Sequence, residues 1–88
     1  MDNLYLYVIE APDFGGWDVY IGAVVCAASE SEARQIHPSG FGWREGKDRL
    51  REWVGRDEVD EKVTATRIGI ADATIKAGDV IFESYRYA

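Results

Sequence analysis

The chain has 88 residues, is 47% hydrophobic and 30% charged, and carries a net charge of −6. A chain of this size buries roughly 60–65% of its unfolded surface, which makes one domain with a modest core, and its apolar content excludes disorder. The acidity excludes nucleic acid as a whole-surface partner, because phosphate binding needs a basic face. It suits a protein that docks on a basic surface, including the nucleic-acid channel of another protein.

Leu4 to Glu10 (LYLYVIE) is aromatic and β-branched, as strands are. Leu4, Leu6 and Val8 share one face; Tyr5, Tyr7 and Ile9 share the other. Neither face is polar, which predicts a central strand covered on both sides. Ala11 to Gly16 (APDFGG) supplies the Pro and Gly of a turn. Trp17 to Ala27 (WDVYIGAVVCA) then returns as a second strand, pairing with the first as an antiparallel hairpin.

Ser29 to Ile36 predicts a short helix. Ser29 is the candidate N-cap, and Glu32 three residues on completes a capping box. Pro38 disfavours helical backbone at His37 and ends it. Pro38 to Gly46 (PSGFGWREG) reads as an exposed loop rich in Gly and Trp. Leu50, Trp53 and Val54 follow at helical spacing, with Gly55 as a C′ residue, which suggests a second short helix. The acidic block Asp57–Glu61 reads as a solvated approach to a third strand over Val63–Ile70. Asp72 to Asp79 connects it to a fourth, Val80–Tyr87. The order predicts an α+β domain: a four-stranded antiparallel sheet (β-β-α-β-β) with one short helix packed on one face and a long Gly/Trp-rich loop.

Charge is laid out unevenly. The first 33 residues contain no Lys or Arg and carry six acids. Residues 34–56 then hold six of the ten basic residues, the single His37, and Trp43 and Trp53. Catalysis is poorly supplied, since a nucleophile–base pair would have to use His37, and the composition points away from an enzyme. His and Cys are too few for a zinc site, and the acidic block lacks the alternation and Gly of a calcium loop. No cofactor or metal is expected. Cys26, the only cysteine, sits in an apolar run and reads as a buried, inert thiol. With no leader pattern and no run approaching the roughly 20 apolar residues of a membrane span, the expected setting is reducing and cytoplasmic, without membrane contact.

The residues suited to contact are Trp17 and Asp18 beside Gly15 and Gly16, and Trp43 and Arg44 among the loop glycines. Trp and Arg dominate interface energies, and Asp18 supplies a complementary acid. For Trp53 the helical stripe favours the core; for Trp43 core and interface are equally consistent.

The segments SESEARQIHPSG (Ser29–Gly40), the spaced pair Trp43 and Trp53, and RIGIADATIKAGDVIFES (Arg67–Ser84) resemble small proteins encoded by bacteriophages and prophages. Such proteins are often accessory, and many antagonise host defence. GWD (Gly16–Asp18), CAASESEA (Cys26–Ala33), a Trp-containing segment and a terminal strand are also similar to anti-CRISPR proteins of the type II-C class, which block the nuclease domain of Cas9. That resemblance implies a non-enzymatic inhibitor that binds a host defence protein, a CRISPR nuclease among them, in the host cytoplasm, with Asp18 contacting the nuclease. The alternative is an oligomeric protein that sequesters a nucleotide signal, with aromatics stacking a base and arginines pairing a phosphate.

Overall fold

The computed structural model of the protein describes residues 3–12, 19–40 and 53–86. The strands are β1 (Tyr5–Glu10), β2 (Val19–Ala27), β3 (Thr64–Ile70) and β4 (Val80–Arg86). They form one antiparallel sheet in the order β3-β1-β2-β4. The expected α+β architecture is the one found, and β1 is central. The apolar alternation of β1 and β2 explains the hairpin: Tyr7 opposes Val25 and Ile9 opposes Ala23, so one side of both strands is apolar throughout.

The helix α1 (Glu30–Arg34) is shorter than the predicted span but starts as expected. Ser29 is its N-cap, and its Oγ accepts from the Glu32 N–H at 3.2 Å. The Glu32 carboxylate reaches back one residue further than a capping box requires, accepting from the Ala28 N–H at 3.2 Å. Helix end and loop are held by His37, whose Nδ1 accepts from the Ser39 N–H, and by Gly40 at φ 80°, a left-handed conformation. Replacing Ser29 by Ala removes the cap and should cost about 1 kcal/mol. For a domain of this size that lowers the melting temperature by about 4–8 °C. An unchanged melt would show that this cap does not set the start of α1.

Of the second predicted helix only residues 53–55 lie among those described. Trp53 and Val54 are both buried, as the stripe required, but their backbone is not helical, and Gly55 has extended backbone (φ −60°, ψ 147°). Leu50 lies outside the described residues. The acidic block, expected as a solvated approach to the third strand, carries helical structure: a 3₁₀ turn (Arg56–Glu58) running into α2 (Val59–Lys62). The reason is local: Val59 and Val63 are spaced i, i+4, both are buried, and the Val63 N–H donates to the Val59 carbonyl at 3.0 Å. Glu58 and Lys62 add an i, i+4 pair at 3.6 Å on the outer side.

The core lies between one sheet face and these helices. It joins Tyr7, Ile9 and Ala11 of the β1 side, Ala23, Val25 and Ala27 of β2, and Ala33, Trp53, Val54, Val59 and Val63. Trp53 is only 3% exposed, which assigns it to the core. Residues 71–79 cross the end of the sheet from β3 to β4. They are pinned there by Ala71 N–H to the Leu4 carbonyl, Cys26 N–H to the Asp79 carbonyl and Gly78 N–H to the Cys26 carbonyl, at 2.8–2.9 Å. Gly78 (φ 92°) makes the last turn. Cys26 is fully buried, and burial, with the Asp79 carboxylate adding to it, pushes its thiol above the ordinary value. Among the described residues no helix is long and apolar enough to cross a membrane.

Candidate protein interface

The four contact residues read from the sequence, Trp17, Asp18, Trp43 and Arg44, lie outside the described residues. What the described residues do show is a molecule with two unlike sides.

The helical side is anionic. Glu30 and Glu32 of α1, Asp57 of the 3₁₀ turn, and Asp60 and Glu61 of α2 are all exposed. Two cations among the described side chains there are tied locally: Arg34 donates to Glu30 at 3.4 Å and through Nε to the Val63 carbonyl, and Lys62 pairs with Glu58. Gln35 donates to Asp60 at 3.4 Å, which links the two helices. Exposed pairs of this kind contribute little to stability, so the carboxylates act mainly as a surface field. Because β3 starts opposite Glu10, the acidic block enters the sheet at the end where β1 finishes and β2 begins.

The other side of the sheet is uncharged over its middle. The register aligns Thr66, Val8, Val24 and Phe82 in one row across all four strands, and Gly69, Leu6 and Cys26 in the next. Glu10 is the acid at one end of this side, opposite Gly22 and Thr64. Leu4, Leu6, Val8 and Val24 are half-buried, and Phe82 is 65% exposed. The sequence predicts cover on both faces of β1. Among the described residues the helices cover only one.

Three further exposed side chains share an origin. Ile21, Ile68 and Ile81 are the residues left without a register partner at the irregularities in β2, β3 and β4. A bulge adds a residue that the ladder cannot pair, and its side chain is re-aimed outward.

A shallow cleft of about 600 Å³ lies beside β3, lined by Tyr7, Glu30, Ala65, Thr66 and Arg67. The Arg67 guanidinium sits 4.7 Å from the centre of the Tyr5 ring, and Tyr5 meets Tyr7 edge to face at 6.5 Å. Sequence reading placed these tyrosines on strands but missed their convergence with Arg67, which depends on the one-residue shift between Leu6 and Tyr7 in the β1–β3 register. Among the described residues no cluster of His, Cys, Asp and Glu is placed to hold a metal ion. No family model, no curated protein and no solved structure matches the chain.

Proposed function

We propose that this chain is a non-enzymatic phage-type accessory protein that binds and inhibits a host defence component, as anti-CRISPR proteins do. The observation that carries the reading is the anionic helical side, with Glu30, Glu32, Asp57, Asp60 and Glu61 exposed together while Arg34 and Lys62 are engaged in local pairs. Such a surface steers the protein toward a basic patch on a partner and repels nucleic acid itself. The nucleic-acid channel of a defence nuclease has the matching charge. In this reading Trp17 and Asp18, at the hairpin, and Trp43 and Arg44 supply the anchoring contacts.

The test is capture with the tagged full chain from cells carrying defined defence systems, followed by an activity assay on the recovered protein. The expected result is a defence protein whose activity falls when the chain is added. Recovery of no defence protein, or of one whose activity is untouched, would sink the proposal.

One observation favours the alternative of a nucleotide-binding protein: Arg67 stacked on Tyr5 beside a cleft offers a cation and aromatic faces together. Extraction of the purified chain distinguishes the two. A nucleotide released in stoichiometric amount supports sequestration; its absence, with a protein captured, supports inhibition.

A further inference from the structure

Two polar groups beside β3 are left unspent by the fold. The Arg67 guanidinium is exposed and, among the described residues, makes no hydrogen bond or ion pair; the contact it does make is with the Tyr5 ring, at 4.7 Å. Tyr7 is only 4% exposed, yet among the described residues its hydroxyl has no hydrogen-bond partner and is not sealed from solvent. A buried tyrosine hydroxyl ordinarily finds a partner. Both residues line the cleft of about 600 Å³ beside β3, and Glu30 of α1 lines it too. Arg34 donates to the Val63 carbonyl just before β3, so Glu30, about one helical turn earlier, stands beside Ala65 to Arg67. The cleft thus holds a cation, a carboxylate and a hydroxyl over an aromatic floor.

We propose that this cleft binds a guanine base. The inference rests on the nucleotide-binding alternative above and names the part of the nucleotide that is read. Charge is the first argument. Arg67 and Glu30 oppose one another in sign, and the whole chain carries −6, so an anion gains little in the cleft and is repelled on the way to it. A neutral planar ring escapes that repulsion. To use both charged groups it needs acceptors on one edge and donors on another. Guanine presents N7 and O6 side by side, the pair that an arginine fork reads bidentately. Its other edge presents N1–H and the N2 amino group, and a carboxylate accepts from both. Adenine fails on the arginine side: its N7 stands beside the N6 amino donor, which meets one arm of the fork donor to donor. The contact with Tyr5 restrains Arg67 before the ligand arrives, which lowers the cost of ordering it. The volume lies within the roughly 300–1,000 Å³ of small-molecule sites. The cleft is shallow, so binding is weak.

The test is titration of the full chain with guanosine, adenosine and inorganic phosphate, followed by nuclear magnetic resonance of the Tyr5 and Tyr7 rings and the Arg67 Nε–H. Arg67→Lys and Tyr7→Phe are measured alongside. Guanosine should shift these signals and saturate with a Kd on the order of 0.1 mM. Adenosine and phosphate should bind at least about tenfold more weakly. Arg67→Lys keeps the charge but loses the fork, and Tyr7→Phe loses only the hydroxyl. Each should weaken guanosine binding by on the order of tenfold. Both should melt as the wild type does, because neither group hydrogen-bonds within the described residues. If one variant fails to fold, the other carries the test. Adenosine binding as tightly as guanosine would overturn the base assignment and leave the nucleotide alternative standing. Phosphate binding as tightly as guanosine would overturn it too, since the cleft would then read anions. No response to any of the three would remove the nucleotide alternative along with the proposal. Guanosine binding unchanged in both variants would place the base elsewhere and overturn it as well.

Discussion

Replacing Trp53 by Ala should cost about 3–5 kcal/mol, the range for deleting a large buried aromatic. Trp53 is 3% exposed and packs in the cluster that joins the helices to β1 and β2. Val54, Val59 and Val63 of the same cluster are small side chains, and they can only partly fill the space it leaves. A domain of this length has a total stability on the order of 4–13 kcal/mol. The variant should therefore melt at least 12 °C lower, at about 4–8 °C per kcal/mol, and be partly unfolded near physiological temperature. Thermal melting followed by near-ultraviolet circular dichroism measures this. A variant that melts within a few degrees of the wild type would show that Trp53 is not a core residue.

The second large effect is at Gly22. A Cβ there would lie 2.6 Å from the Ile9 carbonyl oxygen and 3.3 Å from Glu10 Cγ. The Glu10 side chain can swing away; the Ile9 carbonyl cannot, because it belongs to the central β1–β2 ladder. Gly22→Ala should thus force the two central strands apart and cost about 1–3 kcal/mol, as overpacking does. Gly69 is the control, since it too lies in a strand but nothing stands within 4 Å of its Cβ position. Gly69→Ala should be neutral or slightly stabilising, by up to about 1 kcal/mol, because Ala narrows the unfolded ensemble. Equal effects at the two sites, read by urea denaturation, would contradict the close approach.

The contrast between these glycines was not legible in the sequence. Both sit in runs that alternate as strands do, and both flank a residue that the ladder skips; what separates them is the neighbour, the Ile9 carbonyl of β1 at Gly22 and open space at Gly69. Ile68 and Ile81 follow the same logic: each reads as an ordinary strand residue and ends up exposed because the ladder skips it. Local signals fared better. The strand pattern of β1, the cap at Ser29 and the connection over residues 72–79 are set within a few residues each, and each appears where it was expected. The helical structure in the acidic block lies between these cases. The stripe Leu50-Trp53-Val54 is longer and more apolar than Val59–Val63, but Trp53 is used to fill the core from non-helical backbone. The i, i+4 pair Val59 and Val63 was a readable signal within the acidic block, masked by the charges around it. Of the candidate interface, the acidity was legible in composition; its gathering on the helical side needed the fold, because α1 and the acidic block are far apart in the chain.

That gathered charge is the centre of the functional account, and it can be removed without touching the cap or the core. Asp57, Asp60 and Glu61 are exposed, and the triple variant Asp57→Asn/Asp60→Asn/Glu61→Gln keeps their shape. The measurement is the association rate of this variant and of the wild type with the captured defence protein, at low and at physiological salt. The account predicts that the wild-type rate falls steeply with salt. It also predicts that the variant associates on the order of tenfold more slowly at low salt, depends less on salt, and melts as the wild type does. Identical rates and identical salt dependence in the two proteins would contradict it.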